Sequence, residues 1–185
     1  MVNDIIRETK QKMEKSVEVV HNEFTTVRTG RASRALVENI KVDYYGSPTP
    51  LKQLANISIP EARLIVIQPW DPTALEAIEK AIMKSNLGFT PNNDGKVIRI
   101  SVPQLSQERR EDLIKVVKNI AEEGRVSIRS IRRDSNDKLK KAKLSGEISE
   151  DQEFKLHEEV QNLTDKYIKE IDNLLERKQK EIREV

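Results

Sequence analysis

All seven prolines of this 185-residue chain fall between Pro48 and Pro103. Proline removes a backbone donor and clashes with the preceding helical turn, so long helices belong where it is missing. The chain therefore divides into a proline-free first part, a proline-punctuated middle and a second proline-free part, and the middle reads as an insertion into a helical whole.

Residues 1–30 read as one helix, with Asn3 or Asp4 as N-cap and Gly30 as its stop; its apolar seam is Ile6, Thr9, Met13, Val17, Val20 and Phe24. Ser106 can cap a second helix with Glu108 in its first turn, running to Leu144 and stopping at Gly146. That is roughly 58 Å of helix. Its seam is Leu113, Val117, Ile120, Gly124, Ile128, Ile131, Ser135, Leu139 and Ala142. Ser149 and Gln152 form a capping-box pattern that opens a third helix, with Leu156, Val160, Leu163, Tyr167, Ile171, Leu174, Lys178 and Ile182 along its seam. Positions recur every eleven residues, about 3.67 per turn, which lets helices lie nearly straight instead of winding left-handed. The expectation is a long, straight, antiparallel three-helix bundle, with Gly124 and Ser135 admitting a neighbouring helix at close range.

The middle, residues 31–105, switches to period two. Residues 40–45 alternate, 46–50 turn, and 57–59 and 63–68 read as further strands. Asp71 before Pro72 is an N-cap with proline at the first helical position, opening a short helix with Leu75, Ile78, Ala81 and Ile82 inward. The run 92–95 turns into a last strand over 96–102. Tyr44 and Tyr45 point to opposite faces, one core and one exposed, and Trp70 reads as a packing anchor. The fold class is α+β: a three-helix bundle of residues 1–30 and 106–185 carrying a small, mainly β inserted domain. Both ends of the insert join the bundle, so Gly30, Arg31 and Ser33 together with Pro103, Gln104, Leu105 and Ser106 make a two-stranded connection that can hinge.

Catalysis finds little support. With no cysteine, disulfides, thiolate metal sites and cysteine nucleophiles are excluded. His21 and His157 lie on different helices, the residues after His157 lack the second histidine of a zinc-protease helix, and six scattered glycines form no phosphate cradle. No stretch approaches the roughly 18 apolar residues of a membrane span, and neither a signal peptide nor a transit extension precedes the first helix. A bacterial cytosolic chain is expected.

Charge supplies the functional signal. The formal net charge of +2 hides a split: residues 106–146 hold 12 Lys and Arg against 7 Asp and Glu, net +5, and residues 147–185 hold 7 against 12, net −5. Within the basic helix Arg125, Arg129, Arg132 and Arg133 fall inside an arc of about 100°, away from Ile128 and Ile131. Helix arginines usually have an acid three or four residues away. Arg129 and Arg132 have none, whereas Arg133 has Asp137 and Arg125 has Glu122. Lys115, Lys118 and Lys140 extend the stripe over roughly 38 Å, interrupted by Glu111, Glu122 and Asn136. Such a row can track phosphates, and without aromatics it suits backbone and shape recognition of folded RNA over base stacking. On the residues alone three readings stay open: nucleic acid, pairing with the acidic helix, and an acidic protein partner.

Four motifs narrow the choice: Arg28-Thr29-Gly30-Arg31-Ala32-Ser33, Val42-Asp43-Tyr44-Tyr45-Gly46-Ser47-Pro48-Thr49-Pro50-Leu51, Glu79-Lys80-Ala81-Ile82 and Ile128-Arg129-Ser130-Ile131-Arg132-Arg133-Asp134. In this order and spacing the chain resembles the bacterial ribosome recycling factor family over essentially its whole length. It departs at Asn86-Leu87-Gly88-Phe89-Thr90-Pro91, where the family more often has Asp-Leu-Gly-Leu-Asn-Pro. The resemblance implies an L-shaped, two-domain monomer without active site or cofactor, the bundle as its long arm. It also implies binding to the post-termination ribosome, with Arg129, Arg132 and Arg133 on large-subunit ribosomal RNA and Arg28 and Arg31 near the bend; the helical arc adds Arg125 as a further RNA-binding candidate. Elongation factor G, hydrolysing GTP, would rotate the insert about the hinge and separate the subunits. A non-catalytic helical scaffold or a general RNA-binding protein is the competing reading.

Overall fold

The computed structural model describes residues 2–184. In chain order it contains α1 (Val2–Thr26), β1 (Lys41–Tyr44), β2 (Ser47–Pro50), β3 (Ala55–Glu61), β4 (Leu64–Pro69), α2 (Leu75–Lys84), β5 (Pro91–Asn93), β6 (Ile98–Ser101), α3 (Gln107–Leu144) and α4 (Glu150–Arg183), with short 3-10 turns between them. These form two compact units: the residues up to Arg28 with Gln107–Glu184, and Thr29–Ser106.

In the helical unit α3 runs antiparallel to both α1 and α4. Thr9 bonds Ser135 at 2.6 Å, Ser16 bonds Ser127 at 2.9 Å and Glu8 pairs with Lys138 at 2.8 Å along one side. Arg125 with Asp172 and Lys143 with Glu153 mark the other. The eleven-residue repeat is the repeat of burial: Leu113, Gly124 and Ser135; Val117, Ile128 and Leu139; Val160, Ile171 and Ile182; Thr9 and Val20; Met13 and Phe24. Ile120 and Ile131 are only half-buried, while Ala121 and Thr164, outside the expected seams, are buried. The reason is that α3 faces two helices, so its apolar stripe is wider than one line of residues.

Gly124 lies where three helices meet. A Cβ placed there would sit 2.4 Å from Val20 Cγ2 on α1 and 3.1 Å from Ile171 Cδ1 on α4, so the absent side chain is filled by both neighbours. Tyr167 is the other fixed point: 2% exposed, it donates its hydroxyl to Glu14 Oε1 on α1 at 2.9 Å.

The helix ends correct one expectation and match another. The first helix stops at Thr26, not Gly30: Thr25 and Thr26 turn their hydroxyls back onto the Asn22 and Glu23 carbonyls, and this β-branched pair with Val27 is poorly suited to continue a helix. Asn3 and Asp4 lie inside α1 and do not cap it. Helix α3 closes as expected at Gly146, through Gly146 N–H to the Lys143 carbonyl and Glu147 N–H to the Ala142 carbonyl, the Schellman arrangement. Ser149 and Gln152 form the full reciprocal capping box of α4.

The second unit holds a two-stranded sheet, β1–β2, and a four-stranded antiparallel sheet in the order β3–β4–β6–β5. Its core joins Val42, Leu51, Ile65, Ile67, Ile98 and Ile100 to Ile78 and Ile82 of α2. Two strands escaped the sequence reading. β2 carries two prolines and read as a turn, and the three-residue β5 begins with a third. Asp71 performs the role assigned to Trp70: its carboxylate accepts from Thr73 N–H at 3.0 Å and from the Tyr44 hydroxyl at 2.7 Å, fastening β1 to the start of α2. Trp70 is 65% exposed and so is no packing anchor; its backbone N–H bonds the Leu54 carbonyl.

The expected hinge residues divide. Ala32 N–H bonds the Ala62 carbonyl, Val102 N–H bonds the Arg63 carbonyl, and Ser33 caps a 3-10 turn at Arg34–Leu36. Ser33 is therefore built into the β unit. The Leu105 side chain packs on Gly30, which has φ +76° and where a Cβ would lie 2.9 Å from Leu105 Cγ, so the two crossings lie against each other.

Two outcomes are expected. Gly124→Ala gains helix propensity yet lowers stability by about 1–3 kcal/mol, because overpacking against Val20 outweighs it; denaturant midpoints measure this. Burial, and then the neighbouring Glu14, push the Tyr167 hydroxyl up to about 12 from its ordinary 10. A raised folded value gives stability that is complete below about pH 10 and lost as pH rises through about 12. Tyr167→Phe should remove that part of the alkaline fall in stability, read as a flatter midpoint against pH.

Candidate nucleic-acid interface

The basic face of α3 is one helix long but not one environment. Arg125, with only 21% of its side chain exposed, is a brace: its guanidinium donates to Asp172 Oδ1 on α4 through Nε at 2.8 Å and Nη2 at 2.7 Å, and to Glu122 Oε2 at 3.0 Å. Burial works against its charge, and the two carboxylates more than offset that. Its fork is occupied within the fold.

Arg129 donates to Glu122 Oε1 at 2.5 Å. The lack of an acid three or four residues away suggested an uncompensated charge, and the structure corrects this. Glu122 lies seven residues back, two turns along the same face, within reach of so long a side chain. Arg129, and next Arg125, hold the Glu122 carboxyl below its usual range. The signal was present in the sequence, since Glu122 already interrupted the stripe.

Arg132 and Arg133 differ. Arg132 reaches only a neutral acceptor, Gln161 Oε1 on α4, at 3.4 Å, and Gln161 is itself oriented by its 2.8 Å bond to Asp165. Arg133 is exposed. Neither makes an ion pair among the described residues, and Asp137, four residues beyond Arg133, does not close on it. Lys115, Lys118 and Lys140 are exposed along the same helix. Among the described residues the unpaired positive charge thus runs along α3 from Lys115 to Lys140, with Arg132 beside Gln161. Sequence reasoning missed Gln161, which sits on another helix.

The basic and acidic helices do pair in part, through Arg125 with Asp172 and Lys143 with Glu153. Pairing uses the positions flanking the seam and leaves Arg132 and Arg133 over. Arg28, exposed beyond the end of α1, is not in this cluster; the antiparallel run set by Val20 against Gly124 puts it on the order of 20 Å along the bundle. Arg31 is exposed in the β unit. His157 bonds Asn136 at 2.8 Å and Glu153 at 3.4 Å, His21 is exposed, and among the described residues no group of three or more His, Cys, Asp or Glu could hold a metal ion. No described helix is long and apolar enough to cross a membrane.

A family model described as "Ribosome recycling factor" matches residues 20–182. The chain belongs to the ribosome recycling factor family. The family's ribosome-recycling factor of Heliobacterium modesticaldum is 56% identical over 185 residues, the whole of both chains. Its solved structures share the fold. One, described as the solution structure of the ribosome recycling factor, is 48% identical with a TM-score of 0.74 and covers 100% of this chain and 98% of its own. Another, 45% identical with a TM-score of 0.64 and covering 98% of each chain, is described as models for the Thermus thermophilus ribosome recycling factor and Escherichia coli elongation factor G bound to the E. coli post-termination complex. The family is one of translation factors, and the α+β architecture expected from the sequence is the family's own.

The division of labour among the arginines can be measured without any partner. Arg125→Ala is expected to cost about 1 kcal/mol of stability, through the lost cross-helix bonds. Arg133→Ala should stay within about 0.5 kcal/mol of the parent. Chemical denaturation of the two variants tests the pair.

Proposed function

We propose that the chain binds the post-termination ribosome through the central face of α3, with Arg132 and Arg133 on phosphates of large-subunit ribosomal RNA. Elongation factor G, hydrolysing GTP, then drives the two subunits apart. The observation that carries this reading is the unequal pairing of one arginine row: Arg125 and Arg129 are spent on carboxylates, while Arg132 and Arg133 keep their forks for an outside anion. The relative described on the post-termination complex with elongation factor G supports the choice of partners.

In this reading the protein is no enzyme. It works in the cytoplasm as a monomer, and the nucleotide chemistry belongs to elongation factor G. Arg129 joins the RNA contact by exchanging Glu122 for phosphate, and Arg28 and Arg31 add contacts away from the α3 cluster. The crossings at Gly30, Arg31 and Pro103 to Ser106 serve as the hinge on which the β unit turns, Ser33 moving with that unit.

Arg132→Ala is expected to weaken ribosome binding by about 1 kcal/mol or more, with a shallower salt dependence by about one unit of log–log slope. Pelleting with large subunits across a salt series reads binding. Sedimentation of post-termination ribosomes with elongation factor G and GTP reads splitting. Binding and splitting equal to the parent's would remove Arg132 from the interface, and ribosomes left intact by the parent protein would remove recycling itself.

A further inference from the structure

The β1–β2 hairpin turns at Tyr45 and Gly46, with φ of 51° and 77°, the left-handed pair of a two-residue type I′ turn. That turn sets the phase of the ladder. Tyr44 and Ser47 close it as a hydrogen-bonded pair; Asp43 opposite Pro48 is then non-hydrogen-bonded, Val42 opposite Thr49 hydrogen-bonded, and Lys41 opposite Pro50 non-hydrogen-bonded. The bond from Leu51 N–H to the Ile40 carbonyl, 2.9 Å, continues the same alternation. Pro48 and Pro50 therefore stand where no N–H is required, and they seal the outer edge of β2.

On β1 the same phase turns the N–H and C=O of Lys41 and of Asp43 away from β2. Among the described residues β1 pairs with β2 alone. The outward groups open onto a groove of about 670 Å³ whose near wall is Ile40, Lys41 and Asp43 and whose far wall is the Glu76, Ala77, Lys80, Ala81 and Lys84 face of α2. Ala77 and Ala81 are partly buried against the core that also takes Ile40 and Tyr44, so α2 backs the groove and the unpaired edge of β1 is its open side. Three lysines face two carboxylates there; Lys80 is paired with Glu76 at 3.0 Å, whereas Lys41 and Lys84 make no ion pair among the described residues.

We propose that this groove receives an extended, acidic peptide segment of a partner protein, added as a strand beside β1. The unsatisfied main chain of Lys41 and Asp43 supplies the ladder and the lysines select the charge, the combination by which strand-addition sites gain affinity and specificity. Nothing in the proposal depends on the arginine face of α3.

The test uses the full-length, isotope-labelled chain and a capped hexapeptide of alternating valine and glutamate, titrated to about 1 mM. The amides of Lys41 and Asp43 are expected to shift and to exchange more slowly with solvent. Those of Val42 and Tyr44, already bonded to β2, should hold their exchange rates. N-methylating the peptide nitrogens that face β1 should lower affinity about tenfold or more, and a valine–lysine hexapeptide should not bind in this range. Shifts confined to the α2 lysines and indifferent to N-methylation would show loose ion pairing and overturn strand addition. Unchanged Lys41 and Asp43 amides would overturn the site.

Discussion

The close approach at Gly124 is the constraint from which the helical unit follows. A helix of 38 residues can slide or rotate against its neighbours unless something fixes it, and apolar stripes alone resist sliding weakly because one turn resembles the next. Val20 and Ile171 both occupy the space a side chain would take at Gly124. That fixes α1 and α4 on α3 at one level. Eleven residues further on, Ser135 repeats the small residue and bonds Thr9. Between these two levels the orientation of α3 is set, and with it the face that carries its arginines.

That fixed orientation explains why chemically identical side chains do different work. Arg125, one position after the close contact, points along the α3–α4 junction, where Asp172 meets it. Arg129 points further out and is reached only by Glu122 on its own helix. Arg132 lies over α4 where that helix offers Gln161, a neutral acceptor oriented by Asp165. A carboxylate at position 161 would neutralise Arg132 inside the molecule. The neutral amide leaves the charge of the guanidinium uncancelled, which suits the proposed anion from outside.

What could be read from the sequence follows the range of the forces involved. Hydrophobic periodicity and capping are local, so the three long helices, the capping box at Ser149 and the stop at Gly146 were visible in the residues. So was the short helix after Asp71, although Asp71 caps the 3-10 turn Pro72–Ala74 that leads into it. The misses are non-local. Proline made β2 look like a turn, because its tolerance in that strand depends on ladder phase, and phase is settled by the partner strand. Trp70 looked like an anchor because large aromatics usually are, yet Asp71 beside it, bonded across to Tyr44, does the fastening. In the arginine row the acids on the same helix were countable, but a window of four residues was too short for a guanidinium, and Asp172 and Gln161 could be found only by knowing how α4 lies on α3.

The same logic bears on the two chain crossings. Ala32 and Val102 are tied to consecutive carbonyls, those of Ala62 and Arg63, in the turn that joins β3 to β4. Both crossings are therefore anchored to a single rigid hairpin inside the β unit, and neither can be displaced there without the other. The hinge proposed above would therefore turn beyond those anchors, at Gly30 and Arg31 on one side and from Pro103 to Ser106 on the other. There Leu105 packs on Gly30. A larger residue at position 30 would press on Leu105 and strain a backbone held at φ +76°, so this close contact is what keeps Gly30 and Leu105 side by side.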